Sequence, residues 1–551
     1  MTMIRGVNLG GWLVLERWIT PSFFVLDCPY CPTALPYPVD QWTLLSRFGG
    51  GADASEKKLA YMKTHWDTWV TERDIAAISA AGLTHVRLPV PHWMLGDIKS
   101  GEPWVQGEWP YVLQLAGWCR RHGLQVWLDL HTAPGSQNGF DNSGQLLPRP
   151  TGVGWSGVPS NVERTVKAVR DLATAVKESG IDDVATGFGI LNEPFKGENY
   201  QVVRKFYEAG YEAVREILGP GVSVYVHDMF DASSFDDGFW HEQKYNNTFL
   251  DSHIYHVFNT HTRAFSPRQH VAYACRHSEA EVLACCGRAA DAGGAGGGGR
   301  KLEHEEEKDQ QRLTTTRGEE RSKNSSSSNS NNKGIGRVVA EWSAGVDTLI
   351  DKKLDDLLAG YSRLGVFPEV DRQLPSKRKV FLRNFVEAQM VAYETAAERG
   401  QGSTGWFFWN FKTEGGAFAE WSYLRGVAEG WIPVVDKNKR AIDQFGSCYD
   451  ILRRTDDGTS VIHEFPEPGT MPQDWQDVAP DDDVVMSHGA SLLNGGGAEQ
   501  DDVGSTVGGL GAFAERFGAT AFCTVALMAL YLWLQKVRKR GYTVLHESNK
   551  V

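Results

Sequence analysis

"GFGILNEPF", residues 187–195, begins as an apolar run suited to a buried strand and stops at Asn192, Glu193 and Pro194. Proline cannot donate to a sheet ladder, and the run reads as breaking there. A carboxylate beside an amide, where a hydrophobic strand stops, contributes nothing to a core. It belongs where strand ends carry chemistry.

Seven other segments have a similar character: residues 4–9, 84–90, 125–132, 223–228, 249–255, 337–342 and 405–410. Mostly apolar strands of this kind are covered on both faces, as in a parallel sheet. Amphipathic helical stretches lie between many of them, such as 55–82 and 160–180. Eight strands alternating with helices predict an α/β fold, a (β/α)8 TIM barrel. No dinucleotide-binding fingerprint follows the first strand, which weakens an open-sheet alternative. Polar residues recur at the C-terminal ends of the strands: Arg87, His131, Asn192, Glu193, His253, Tyr255, Glu341 and Trp409. In a barrel these ends form a single rim, where the active site of this fold sits. Glu193 and Glu341 supply two carboxylates to it, the pair that glycoside cleavage requires.

Composition is consistent with that chemistry. The chain has 551 residues and a net charge of −13, which argues against nucleic acid or an anionic membrane surface as partner and is compatible with a neutral substrate. Nineteen tryptophans are abundant material for stacking on sugar rings, although tryptophan is also core material. Eight cysteines are too few for a disulfide scaffold; Cys28 and Cys31 form one C-x-x-C without a second pair at zinc spacing. No metal and no cofactor are expected.

The blocks "RGVNLGGWLVLERWITPSFF" (5–24), "VRLPVPHW" (86–93), "LDLHTAPGSQNGFDNSG" (128–144), "GFGILNEP" (187–194), "HIYHVF" (253–258), "VAEWS" (339–343) and "GWFFWNFKTE" (405–414) together resemble the exo-1,3-β-glucanases of glycoside hydrolase family 5. The resemblance runs from about residue 4 to 460. It implies retaining hydrolysis of β-1,3-glucans from the non-reducing end, with Glu193 as acid/base and Glu341 as nucleophile. Arg87 and Tyr255 are then expected beside Glu341, Asn192 at the sugar 2-hydroxyl, and His131 and His253 at ring hydroxyls. Trp409 is expected under the sugar ring, Phe140 and Phe258 as a clamp beyond the cleavage point, and Glu16 at the terminal glucose. The family's disulfide would fall on Cys275 and Cys448. Ile254 departs from the family by replacing a polar residue. Transglycosylation, another β-glucoside, or non-catalytic glucan binding remain alternatives, and the protein is expected to act as a monomer.

Outside the barrel, the sequence divides further. A catalytic domain is expected over residues 1–464, interrupted at 291–336 by a Gly-rich, then charged, then Ser/Asn-rich tract that cannot bury enough apolar area to fold. Residues 465–516 form an acidic, Gly-rich linker. "FGATAFCTVALMALYLWL" (517–534) carries no charge across eighteen residues and precedes a basic tail, 535–551, so it reads as a membrane span with the barrel on the extracellular or lumenal side. No signal peptide opens the chain, so a missing upstream segment is expected. Asn246 and Asn324 are glycosylation acceptors if the domain enters the secretory pathway.

Overall fold

The structure, a computed structural model, describes residues 3–24, 37–149, 151, 153–195, 199–235, 240, 244–275, 335–346, 374–398, 405–414 and 418–455. Eight strands close into a barrel: β1 (Ile4–Asn8), β2 (His85–Val90), β3 (Gln125–Leu130), β4 (Ala185–Gly189), β5 (Ser223–His227), β6 (Thr248–Ile254), β7 (Gly336–Trp342) and β8 (Gly405–Phe408). Each pairs in parallel with its neighbours in sequence, and β8 closes on β1. Every one of them overlaps a segment read from the sequence as a strand. Parallel neighbours need a long crossover, and helices supply it: Pro159–Glu178 buries Thr165, Ala168, Val169, Leu172, Ala173 and Val176, a single stripe at helical spacing.

The stretch at 55–82 is two helices rather than one, Ala52–Trp69 and Glu72–Ala80. Val70 is extended between them. The second helix begins at Thr71, whose backbone amide and hydroxyl both donate to Asp74. This is a capping arrangement, which satisfies groups that a continuous helix would not need to satisfy.

Inside the barrel lies a small separate cluster of Ile4, Trp127, Tyr225, Phe249, Val338, Ala340 and Phe407. The glycines of β4 make room for it. A Cβ at Gly187 would lie 2.2 Å from the Trp127 indole, and one at Gly189 would lie 2.5 Å from the Tyr225 ring. Strand residues two apart share a face, so the G-F-G of the opening stretch keeps the inward positions of β4 empty for its neighbours' large rings.

The low-complexity tract ends earlier than 336. Gly336 is the first residue of β7 and pairs with Phe249, and Ile335 before it is 4% exposed. A Cβ at Gly336 would meet the Phe249 ring at 2.7 Å, so this glycine serves barrel packing and not the Gly-rich tract. Cys275 and Cys448 are disulfide-bonded, with Cα atoms 5.8 Å apart, and tie the segment after β6 to the helix Cys448–Arg454. Among the described residues no helix is long and apolar enough to cross a membrane. The segment 517–534, the linker, the tail, Cys28, Cys31 and Asn324 lie outside the described residues. Asn246 is exposed, and its side-chain carbonyl accepts from the Tyr211 hydroxyl at 3.0 Å.

Candidate active site

β4 ends at Gly189, and the chain runs through Ile190 and Leu191 to the rim. Glu193 there has φ 45°, a left-handed conformation that costs a non-glycine residue about 1–3 kcal/mol unless its surroundings hold it. The holding groups are visible. The Asn192 amide donates to Leu130 O at 2.9 Å, the Phe195 amide to Gln137 O at 3.0 Å, and the Gln137 side chain to Asn192 O at 2.9 Å. The strained turn aims the Glu193 carboxylate into the barrel mouth, where Asn142 donates to its Oε2 at 2.8 Å.

Glu341 lies on β7, directly across the strand pairing from His253 on β6. Its Oε1 accepts from Arg87 at 2.7 Å and its Oε2 from the Tyr255 hydroxyl at 2.8 Å. Burial pushes the Glu341 carboxyl up; His253 and Arg87 pull against that shift, and the Glu193 charge adds to it. Glu193 and Glu341 are only 1% and 2% exposed, so each depends on protein groups for solvation.

His253 stands between them. Its Nδ1 is 2.7 Å from Glu193 Oε1 and 3.4 Å from Glu341 Oε2, and its Nε2 is 3.2 Å from Asp251 Oδ2. Burial works against a charged ring, but Glu341, Asp251 and the hydrogen bonds to Asp251 and Glu193 overcome it and hold His253 well above the ordinary histidine value. Facing carboxylates through both ring nitrogens, it favours the imidazolium form. This differs from the expected sugar contact, because both ring nitrogens are spent inside the protein. The facing oxygens of Glu193 and Glu341 can be no further apart than the two Nδ1 distances laid end to end. That limit is below the separation of about 6.5–9.5 Å that inverting glycosidases need to seat a water.

Arg87 sits in the middle of β2, below the rim where the sequence placed it. It donates to Asn8, Glu341 and Asn192 and pairs with Asp129 at 2.9 Å. A guanidinium so saturated orients its neighbours and has no donor left for substrate. Asn192 uses its oxygen on Arg87, and its Nδ2 is buried with no partner among the described residues. His131 Nδ1 donates to the Asp129 carboxylate at 2.7 Å, while its Nε2 is likewise unpartnered among the described residues. These two unsatisfied nitrogens point to a polar ligand, since a buried polar atom without a partner is costly. Trp409 stacks on His131 at 5.6 Å with an interplanar angle of 6°, and the Trp409–Asn410 peptide is cis.

Glu16 belongs to the same cluster and to no surface salt bridge. It is 1% exposed, accepts from Trp18 Nε1 at 2.9 Å and forms no ion pair among the described residues. Burial, then the charge of Asp141, raise its pKa well above the ordinary range, with smaller contributions from Glu341 and Glu193. Phe140 and Phe258 are both buried but differ: Phe258 packs in the main core against Tyr255 and Trp421, while Phe140 stands outside both hydrophobic clusters on the loop that carries Asn142.

Asn142, Asp129, Asp251, Gln137, Tyr225 and His227 escaped the sequence reading. A signal existed for two of them. Asp129-x-His131 at the end of β3 and Asp251-x-His253 on β6 place acid and imidazole two apart at strand ends, so each histidine is oriented by its own aspartate. His227 stacks edge-on against His253 at 4.4 Å. Glu193, His227 and His253 bring ligand-type atoms within 4.8 Å of one another. The donor set fits a cation poorly, because both His253 nitrogens are hydrogen-bonded to carboxylates, at 2.7 and 3.2 Å, and His227 Nδ1 accepts the Met229 amide at 3.0 Å, which leaves only His227 Nε2 of the four imidazole nitrogens without a hydrogen-bond partner among the described residues.

The cellulase model of glycosyl hydrolase family 5 matches residues 51–351. Among curated relatives, the glucan 1,3-beta-glucosidase of Blumeria graminis is 33% identical over 454 residues, covering 81% of this chain and 90% of that protein. The probable glucan 1,3-beta-glucosidase A of Emericella nidulans is 33% identical, covering 78% and 90%. The glucan 1,3-beta-glucosidase of Yarrowia lipolytica is 29% identical, covering 78% and 88%. Of solved structures, the rutinosidase from Aspergillus niger aligns with a TM-score of 0.50 at 16% identity over 78% of this chain and 98% of that one, a likeness of fold.

Proposed function

The chain belongs to glycosyl hydrolase family 5, and from that membership we propose that it removes glucose from the non-reducing ends of β-1,3-glucans with retention of configuration. One observation carries the mechanism: both carboxylates face the same nitrogen of His253. Such closeness suits a nucleophile and an acid/base sharing a single anomeric centre.

Glu341 attacks the anomeric carbon, ionised and aligned by Arg87 and Tyr255. The glycosidic C–O bond breaks, and the leaving oxygen takes a proton from Glu193. That proton stands on the Glu193–His253 pair, 2.7 Å apart, and Glu193 is left ionised once it has been given up. In the second step Glu193 takes a proton from water, the hydroxide oxygen bonds to the anomeric carbon, and Glu341 leaves. Asn192 Nδ2 is the donor for the 2-hydroxyl, and His131 Nε2 is the contact for a further ring hydroxyl. Trp409 is the floor of the cleavage subsite, Phe140 and Phe258 border the leaving side, and Glu16 takes the terminal glucose. Glucose as the sole product from laminarin supports exo action; a ladder of oligosaccharides would overturn it.

The reading extends to placement: a barrel domain over 1–464, a linker over 465–516, an anchor at 517–534 and a cytosolic tail at 535–551. The uncharged run followed by Lys536, Arg538, Lys539 and Arg540 supports the anchor. The Cys275–Cys448 bond supports a barrel in an oxidising compartment. Protease digestion of sealed vesicles tests both: the barrel and the tail should fall on opposite sides.

A further inference from the structure

The geometry points to a second carbohydrate-binding groove, for a β-glucan chain, on the outer side of the β1 loop. The loop from Gly10 to Phe24 has two faces. One carries Glu16 and Trp18 into the catalytic pocket. The other carries Thr20, Ser22 and Phe23 along the helix Ala52–Trp69, where they line a cavity of about 650 Å³ together with Glu414 from the segment after β8. That volume lies within the range of ligand sites, about 300–1,000 Å³.

The lining has the chemistry of a sugar site. The helix contributes Lys57, Ala60, Tyr61, Thr64, Thr68 and Trp69, a stripe at spacings of one, three and four along one face. Phe23 stacks on Tyr61 at 4.2 Å and His65 on Trp69 at 5.7 Å, with the Lys412 ammonium 5.1 Å over the Trp69 ring, so the lining is mainly aromatic, the material on which pyranose C–H groups pack. Thr64 and Thr68 line the same groove, their hydroxyls donating to the helix carbonyls of Tyr61 and Thr64 and keeping lone pairs with which to accept. The charged groups on the lining already have protein partners: Lys57 pairs with Asp53 at 2.6 Å, and Glu414 accepts the Ser22 amide at 2.8 Å. One atom asks for a ligand. Thr20 is 2% exposed, and its hydroxyl has no partner among the described residues. A buried hydroxyl is kept unsatisfied only at a cost in stability, and a sugar hydroxyl would satisfy it.

The choice of glucan rests on the function proposed above. Residues 20–23 and 414 belong to the segments that follow the C-terminal ends of β1 and β8, and the same β1 segment carries Glu16. A long chain would gain from it; a small aryl glucoside would not.

The test compares wild type with Ala60→Trp, which fills the groove from an exposed helix position, and Thr20→Val, which removes the hydroxyl at constant shape. Retardation by laminarin in native gels and KM for laminarin are read beside kcat/KM for an aryl β-glucoside. The expected result is at least fivefold weaker retention and a raised KM in both variants, with aryl-glucoside kinetics within twofold of wild type and Thr20→Val as heat-stable as wild type. Retention unchanged in both variants, no retention of wild type, or a parallel loss on the aryl glucoside would overturn the groove. Hydrolysis is a separate readout: a wild type retained by laminarin without cleaving it would sink the proposed function and leave the groove standing.

Discussion

His253 and Glu341 face each other across the β6–β7 pairing, and the imidazolium lies 3.4 Å from the carboxylate that its strand register placed beside it. The same ring is 2.7 Å from Glu193. A cation therefore joins two carboxylates that would otherwise repel each other in a buried site, and Asp251 balances it from behind.

The first prediction separates the roles of the two carboxylates. Glu341→Gln should abolish turnover of every substrate, since no nucleophile remains. Glu193→Gln should lose on the order of 10²–10⁴-fold on glucan, the usual contribution of a general acid. It should be spared in the first step on substrates with a good leaving group, and azide should restore its second step. Equal losses on an aryl glucoside with no azide rescue would exchange or cancel the assignment.

Tyr255→Phe removes a hydrogen bond that favours the ionised form of Glu341. Burial already holds this carboxyl above its ordinary value, and losing the donor raises it further. The acid limb of kcat/KM should shift to higher pH in the variant, with a loss of about tenfold or more at mid-range pH. An unmoved acid limb would show that Glu341 does not set it.

His253 makes stability depend on pH. Its folded-state pKa lies above its unfolded value of about 6.5. Its ion pairs therefore stabilise the fold fully below that pH and are lost as pH rises through the folded value. Thermal unfolding of wild type should lose stability on the alkaline side. The difference between wild type and His253→Gln should be larger at pH 6 than at pH 9.5; a constant difference would contradict a charged ring.

Glu16 has the opposite sign. Its folded-state pKa is raised well above the ordinary value, so ionisation opposes folding as pH climbs above about 4.3. Glu16→Gln should match wild type in thermal stability at pH 4 and exceed it at pH 7, while KM for laminarin rises. A variant less stable than wild type at pH 7 would point to an unseen cation.

The Cys275–Cys448 bond closes a loop with a sequence separation of 173, which includes the low-complexity tract. Bonds of this kind contribute about 2–4 kcal/mol. Cys448→Ser should lower the melting temperature by several degrees without changing kcat on an aryl glucoside. Deleting 291–333 should be tolerated, whereas a deletion that takes Ile335 and Gly336 should not, because those two residues begin β7.

The amino-acid sequence by itself determined the eight strands, their order and the rim. Apolar runs with polar ends are a local pattern, and parallel closure is a short list of options once such runs alternate with helices. It also named both carboxylates, because Glu193 and Glu341 each interrupt an apolar strand where a core would tolerate no charge. Three things were decided only by the tertiary structure. The break of 55–82 at Val70 depends on a cap whose strength over helix propensity no periodicity shows. The end of the low-complexity tract depends on Phe249, a residue on the neighbouring strand, which makes Gly336 a packing residue. The role of His253 depends on which atoms fill the space around its two nitrogens. In sequence it is a histidine near a strand end, equally fit to touch a sugar. Only the β6–β7 register and the strained turn at Glu193 bring three carboxylates around it, and their summed field makes it a cation held within the protein.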